Sequence, residues 1–228
     1  MDFKELQKNL GIKFKNTNLL KQAFVHRSYL NENPAFELHH NERLEFLGDA
    51  VLELAVTEYL YNNYPDLAEG EMTNLRASLV NSQMLSQISD RLGFDRFLFL
   101  SKGEAKEIGR GRQYILANTF EAFVGAFHLD QGYKKAEDFV LKNLIPELKN
   151  IIEKKLWRDA KSLFQEAAQE RAGITPNYEV LGENGPDHAK KFVIGVYLDK
   201  ELIAQGEGSS KNEAQQQAAE NALKLRGW

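Results

Sequence analysis

Apolar residues recur at helical spacing through the first two thirds of the chain. Phe3, Leu6 and Leu10 share one face of a segment that ends at Gly11. Longer helices are predicted over 16–30 with Asn16 or Thr17 as N-cap, over 40–64 before Pro65, over 71–92 before Gly93, over 113–130 and over 134–155. No strand-like alternation precedes residue 170, so this part of the chain is predicted to be all-helical.

The pattern changes near residues 153–160, where a charged stretch forms either a linker or a helix end. A short helix closed by Gly173 is followed by three segments with period-two alternation, over 177–185, 190–199 and 200–208, and by an Ala- and Gln-rich helix over 211–225. The expected organisation is an all-α domain over 1–155 and a small α+β domain of order α-β-β-β-α over 156–228.

Composition narrows the classes of function. The 228 residues contain 29 Lys and Arg, 33 Asp and Glu and no cysteine, which excludes a disulfide scaffold, a thiolate zinc site and a cysteine nucleophile. No apolar run approaches the roughly 20 residues that span a bilayer, and the N-terminus lacks a signal-peptide core. We therefore expect a cytoplasmic protein with no membrane partner. The net charge of −4, taken alone, argues against a nucleic-acid partner.

Three carboxylates lie on one face of the predicted helix over 40–64. Glu42, Glu45 and Asp49 fall within about 60° on the helical wheel, and each like-charged pair costs a few tenths of a kcal/mol. Either water solvates this face or a divalent cation neutralises it, and all-oxygen ligands favour Mg²⁺ or Mn²⁺. The interior Gly48 costs roughly 0.5–1 kcal/mol relative to Ala, which indicates close approach of another backbone or of a partner. The core side of this helix is predicted to contain Leu44, Leu47, Val51 and Leu54.

A second polar pair lies on the helix predicted over 113–130. Asn118 and Glu121 are three residues apart and share a face, whereas Phe120, Phe123 and Val124 are core candidates. Alone, Asn118 is a helix cap or a surface amide. If this helix packs beside the first one, the oxygens of Asn118 and Glu121 could complete a four-residue metal site.

The block ERLEFLGDAVL over 42–52 resembles the signature block of the bacterial ribonuclease III family. Three further segments, over 24–32, 69–81 and 116–132, resemble other parts of the family and occur in the family's order along the chain. Residues 158–228 resemble its double-stranded RNA-binding domain. The resemblance covers nearly the whole chain. It implies a homodimeric, Mg²⁺-dependent endoribonuclease, with Mn²⁺ as a substitute, that cuts duplex RNA in the processing of ribosomal and messenger RNA. The implied products carry a 5′ phosphate and a 3′ hydroxyl with short 3′ overhangs.

The resemblance also implies roles for individual residues. Glu45 and Asn118 are implied metal ligands, and Asp49 and Glu121 are both ligands and catalytic residues. Glu42 stands where the family often has an acidic residue that assists RNA contact. Phe46 is implied in the dimer interface, although a core position at a slightly rotated angle also fits its place on the wheel.

Asn118 departs from the family, which usually has Asp at this position. An amide oxygen can coordinate Mg²⁺ without contributing charge, so metal affinity is expected to fall. The first hypothesis is that the enzyme stays active, because Glu45, Asp49 and Glu121 are intact. The alternative is a double-stranded-RNA-binding regulator whose cleavage is impaired by Asn118.

The C-terminal domain matches the family's RNA contact regions in position. The residues that the match implies are Gln165, Gln169, His188, Lys190, Lys211 and Asn212. Simple solvent exposure is the alternative for the two glutamines. Residues 156–228 contain 9 Lys and Arg against 11 Asp and Glu, so a local patch of Lys190, Lys191, Lys211 and Lys224 must attract phosphate, and weak, salt-sensitive binding is expected. The basic stretch over 102–112 could contact RNA or form a solvated loop.

Overall fold

A computed structural model describes residues 2–153, 160–185 and 190–228. The chain divides into two compact units, Met1–Trp157 and Arg158–Trp228, which are described separately. Across the described ranges, no helix is both long and apolar enough to cross a membrane.

The described residues of the first unit form eight α-helices and two short 3₁₀ turns. The helices are α1 (Phe3–Leu10), α2 (Thr17–Ala23), α3 (Arg27–Glu32), α4 (Glu42–Asn63), α5 (Glu69–Leu79), α6 (Ser82–Arg91), α7 (Arg110–Gln131) and α8 (Tyr133–Glu153), with the 3₁₀ turns at Phe94–Phe97 and Glu104–Lys106. Gly11 ends α1 in the left-handed conformation, as its position predicted. Asn16 is the N-cap of α2, and its side chain accepts a hydrogen bond from the Asn18 N–H.

The prediction of a single helix over 16–30 is wrong, because the chain leaves helical geometry between α2 and α3. Val25 forms an isolated parallel bridge with Phe99, and the Phe99 N–H donates to the Phe24 carbonyl at 2.9 Å. Both Phe24 and Val25 are fully buried. Burial of this aromatic and β-branched pair against the segment after α6 therefore outweighs continuation of the helix.

The prediction of a single helix over 71–92 is also wrong, because this segment forms two helices, α5 and α6. The Asn81 amide donates to the Ala77 and Ser78 carbonyls at 3.2 and 2.9 Å, and its oxygen accepts from the Met84 N–H at 2.9 Å. One side chain therefore closes α5 and begins α6. Gly93, with φ of 73°, follows α6 as predicted.

Helices α4 and α7 pack against each other at the centre of the first unit. Phe120, Phe123 and Val124 of α7 are fully buried, as predicted. On α4, Leu44 and Val51 are buried and Leu47 is half-buried. Leu54 is 48% exposed, so its predicted core position is wrong. It lies on the outer flank of the helix because the contact with α7 covers a different arc of α4.

Two glycines allow the backbones of α4 and α7 to touch. A Cβ at Gly48 would lie 1.7 Å from the Glu121 carbonyl oxygen, and a Cβ at Gly125 would lie 2.2 Å from the Leu44 carbonyl oxygen. The helices run in opposite directions here, since Leu44 faces Gly125 and Gly48 faces Glu121. The close backbone approach expected from Gly48 is thus made by α7.

The second unit is an antiparallel three-stranded sheet, β1-β2-β3, with two helices, within the residues described. The elements are α9 (Ala160–Ala172), β1 (Asn177–Asn184), β2 (Lys191–Leu198), β3 (Glu201–Gly208) and α10 (Lys211–Arg226). Helix α10 packs closely on β3, because a Cβ at Gly206 would lie 2.2 Å from the Ala218 nitrogen. The predicted α-β-β-β-α order is confirmed.

Replacing Gly48 with Ala should destabilise the first unit by about 3 kcal/mol or more, because the new methyl group overlaps backbone that cannot rotate away. The matched control is Gly111→Ala, at the exposed start of α7, where a Cβ meets only the flexible Glu107 side chain at 3.0 Å. That change should be neutral or stabilising by up to about 1 kcal/mol. Urea unfolding measures both, and equal effects of the two changes would contradict the close crossing.

Candidate active site

The crossing of α4 and α7 brings together the acidic residues predicted from sequence. Glu45 and Asp49 are four residues apart on α4 and flank Gly48, whose Cα lies against the Glu121 backbone. Asn118 lies one turn earlier on α7, within hydrogen-bonding reach of Glu45. The packing of α4 against α7, which the predicted four-residue site requires, is therefore present.

The site is electrostatically unfavourable for its own carboxylates. Burial, followed by the nearby charges of Asp49 and Glu45, raises the pKa of Glu121 to about 8. Burial and the charges of Glu42 and Asp49 also raise the pKa of Glu45, whereas the hydrogen bond from Asn118 opposes that rise. The fold thus holds partly buried carboxyl groups near one another at an electrostatic cost.

Asn118 is neither a helix cap nor a free surface amide. It lies in the interior of α7 and is half-buried, with its side chain hydrogen-bonded to Glu45. The register of α7 is held by the buried Ser89, whose hydroxyl donates to the Leu116 carbonyl at 2.7 Å. Contacts outside the site therefore fix which face of α7 meets α4.

Glu42 lies at the exposed edge of the acidic face. Its carboxylate is 3.4 Å from Arg27 Nη1 and 3.7 Å from His40 Nδ1. Arg27 and His40 were not predicted to be near the site. The one sequence signal was that Arg27 lies within the segment over 24–32 that resembles the family and His40 lies just before the block over 42–52. The approach of α3 to the start of α4 brings Arg27 to Glu42.

His26 stabilises the fold beside this site. Its ring Nδ1 lies 2.8 Å from Ser28 Oγ at the start of α3, and burial lowers its pKa. The Ser28 hydroxyl in turn accepts a hydrogen bond from the Ser101 N–H at 3.1 Å. His26 therefore organises the contact between α3 and the segment before α7.

The donor set at the crossing suits a hard divalent cation. Three carboxylates and one amide supply oxygen ligands, and burial followed by the neighbouring carboxylates raises the pKa of Glu121 and of Glu45. Within the described ranges, however, no three His, Cys, Asp or Glu side chains are gathered tightly enough to hold a metal ion as they stand. The chemistry of the residues fits the ion, and the side chains must draw together to coordinate it.

An apolar stripe runs along the outer side of α4. Phe46, Leu54 and Tyr61 are 83%, 48% and 71% exposed, and with Ala50 they fall within about 80° on the helical wheel. The core position considered for Phe46 is therefore wrong for the single chain. Contiguous exposed apolar side chains of this kind mark interaction surfaces.

The predicted RNA-contacting residues of the second unit are on its surface where they are described. Gln165 and Gln169 are exposed on α9, and the Gln169 amide donates to Thr175 Oγ1 at 3.2 Å. Lys211 and Asn212 are exposed at the start of α10, which packs beside α9. Lys190 is half-buried. His188 lies outside the described residues.

The basic residues over 102–112 have two different environments. Lys102, Lys106 and Arg110 are exposed, whereas the Arg112 guanidinium pairs with Asp95, with Nε 2.8 Å from Oδ1. Arg112 thus contributes to the packing of α7 on the 3₁₀ turn that follows α6.

Comparison with known proteins identifies the family. A model for ribonuclease-III-like domains matches residues 16–148, and a model for the double-stranded RNA binding motif matches residues 160–225. A protein named Ribonuclease 3 from Pelotomaculum thermopropionicum is 46% identical over 218 residues, which cover 96% of this chain and 90% of that protein. The chain belongs to the ribonuclease III family. A Ribonuclease 3 from Oceanobacillus iheyensis is also 46% identical, over 98% of this chain and 97% of its own.

A solved member of the ribonuclease III family shares the helical fold. The nuclease domain from Campylobacter jejuni, described as having a flexible region involved in dimer formation, superposes with a TM-score of 0.56 and 37% identity. It covers 62% of this chain and 98% of the solved domain. The ribonuclease-III-like match spans both α4 and the Asn118–Glu121 turn of α7, so the acidic crossing lies within the family's domain.

Replacing Glu121 with Gln should stabilise the metal-free protein in a pH-dependent way. The folded protein raises the pKa of Glu121 to about 8, above its ordinary value of 4.5, so the wild-type protein loses stability as pH rises from 4.5 to 8. The variant lacks this loss, so its melting temperature should match wild type near pH 4.5 and exceed it by several degrees at pH 8.

The measurement is thermal unfolding in EDTA at both pH values. Glu53→Gln, on the exposed side of α4, is the matched control because it removes the same charge outside the crossing. A gain for Glu53→Gln as large as that for Glu121→Gln would show that net charge, not the crossing, sets the effect.

Proposed function

We propose that this protein is a metal-dependent endoribonuclease that hydrolyses phosphodiester bonds of double-stranded RNA, leaving 5′ phosphates and 3′ hydroxyls with short 3′ overhangs. The observation that carries the proposal is the α4–α7 crossing, which brings three carboxylates and an amide to one face of the nuclease fold. A double-stranded RNA binding motif follows in the same chain.

The proposed cofactor is Mg²⁺, with Mn²⁺ as a substitute, held by Glu45, Asp49, Asn118 and Glu121. When bound, the ion supplies an activated water and neutralises charge on the phosphate. Asp49 and Glu121 are the proposed catalytic carboxylates. In the absence of a cation Glu121 retains a proton near neutral pH, so binding is coupled to loss of that proton. Glu42, which lies 3.4 Å from Arg27 Nη1 and 3.7 Å from His40 Nδ1, is assigned to assist RNA contact.

Homodimerisation is the second part of the proposal. The stripe of Phe46, Leu54 and Tyr61 offers an apolar surface on α4 beside the acidic face, and a twofold copy would bury it. Each subunit then contributes one site, and the two sites cut one strand each.

The proposed division of labour places cleavage in residues 1–155 and duplex binding in residues 156–228. Gln165 and Gln169 on α9 are suited to minor-groove hydroxyls, and His188 is assigned to the neighbouring minor groove. Lys190, Lys211 and Asn212 are assigned to phosphates, with the N-terminus of α10 adding to the attraction. Ribosomal-RNA precursors and other structured transcripts are the proposed substrates, in the cytoplasm.

A second function is favoured by Asn118 alone. With an uncharged residue at this position the metal site has three formal negative charges, and a chain that binds duplex RNA without cutting it would act as a regulator. We favour cleavage, because Glu45, Asp49 and Glu121 remain at the crossing.

Measuring cleavage of a long RNA duplex as Mg²⁺ is titrated distinguishes the enzyme from the regulator. The chain should cleave, and Asn118→Asp should reach half-maximal rate at lower Mg²⁺ because a fourth carboxylate strengthens cation binding. The same change should lower the melting temperature in EDTA, since it removes the hydrogen bond to Glu45 and adds a like charge. Cleavage by Asn118→Asp but not by the unaltered chain at any Mg²⁺ would support the regulator.

Replacing Phe46 with Asp should convert the dimer to a monomer without unfolding it, because the ring is 83% exposed in the single chain. Light scattering after size-exclusion chromatography measures the mass. Leu225→Asp is the matched control, since Leu225 is 71% exposed on α10 in the other unit. A dimer that survives Phe46→Asp would place the interface elsewhere.

A further inference from the structure

The predicted RNA-binding lysines of the second unit are paired with one of the protein's own carboxylates. Glu183, near the end of β1, has Oε1 3.4 Å from Lys211 Nζ and Oε2 3.4 Å from Lys190 Nζ. Lys211 also lies over the Phe192 ring, 5.6 Å from its centroid. Glu183 therefore bridges two cations that come from different parts of the fold.

A second carboxylate occupies the start of α10. Glu213 accepts hydrogen bonds from the Ser209 N–H at 2.7 Å and from the Ser209 hydroxyl at 2.6 Å. These bonds with Ser209 lower the pKa of Glu213. An amide at the N-terminal end of α10, where the helix dipole would attract phosphate, is thus already used by the protein.

Two carboxylates reduce the positive charge of this surface. Glu183 and Glu213 offset Lys190 and Lys211, so the surface that must attract phosphate has no excess positive charge from these four residues. The side chains of Glu183, Lys190 and Lys211 remain 37%, 39% and 58% exposed. Exposed pairs of this kind stabilise a fold little, but a phosphate must displace the carboxylate to reach either lysine.

We propose that Glu183 is an affinity-determining residue, a built-in electrostatic competitor that holds Lys190 and Lys211 away from duplex RNA and limits how tightly the second unit binds. The inference rests on the proposed function, because it concerns how the same chain holds its substrate. Its consequence is rapid release of the duplex, with phosphate and carboxylate exchanging on the same two lysines.

The test of this proposal measures binding of the full chain to an RNA duplex in EDTA, so that nothing is cleaved. The duplex has about 20 base pairs, longer than the roughly 16 that one such domain spans. Glu183→Gln should bind about three- to tenfold tighter at low salt. For this variant, the slope of log K against the logarithm of salt concentration should steepen by about one unit, because an added phosphate contact displaces one more counterion. Glu179→Gln is the matched control, on the same strand with the same change in charge and a hydrogen bond only to Asn177 among its described contacts.

The pairing itself is tested by adding Lys211→Gln to both backgrounds. The gain from Glu183→Gln should shrink when Lys211 is absent, since the competition has lost one of its two cations. An unchanged gain, or a gain equal to that of Glu179→Gln, would overturn the inference and leave the proposed function intact. Failure of the unaltered chain both to bind duplex in EDTA and to cleave it in Mg²⁺ would overturn the proposed function instead.

Discussion

The backbones of α4 and α7 meet at two glycines, and the chemistry of the first unit follows from that contact. Without a side chain at Gly48 or Gly125, the helices approach until the Glu121 carbonyl lies against α4. Residues that flank a crossing this close must face one another, so Glu45 and Asp49 meet the polar turn of α7. Any larger residue at Gly48 would separate the helices and the carboxylates together. Packing and site geometry therefore depend on the same two positions.

The same contact places the carboxylates in an electrostatically unfavourable arrangement. Burial and like charge raise the pKa of Glu121 and Glu45, which means that the fold holds them against an electrostatic cost. The surrounding aromatic core, with Phe94, Phe120 and Phe123 fully buried, supplies the stability that this arrangement removes. Asn118 relieves part of the cost through its hydrogen bond to Glu45. An uncharged residue at position 118 thus lowers the affinity for a cation and stabilises the arrangement of the carboxylates when no cation is bound.

Net charge proves a poor guide to partners in this chain. The overall value of −4 includes carboxylates at the crossing that a cation would neutralise, and Glu183, which pairs with two lysines of the second unit. Glu183 shows that lysines on a surface can be paired with one of the protein's own carboxylates. Binding of a polyanion to such a surface depends on exchange between internal and external partners.

Local pattern alone was enough for much of the architecture. Apolar periodicity located α4 and α7, alternation located the three strands, and the spacing of Glu42, Glu45 and Asp49 put three carboxylates on one helix face, because these depend on neighbours along the chain. The assignment of the acidic residues to a metal site came from the family resemblance. Local pattern failed where distant segments compete with helix propensity, as at Val25, which pairs with Phe99, and it misplaced Leu54. Only the tertiary structure could place Arg27 beside Glu42, or Lys211 beside Glu183. Those contacts join residues far apart in sequence, and no local periodicity encodes which surfaces the packed elements bring together.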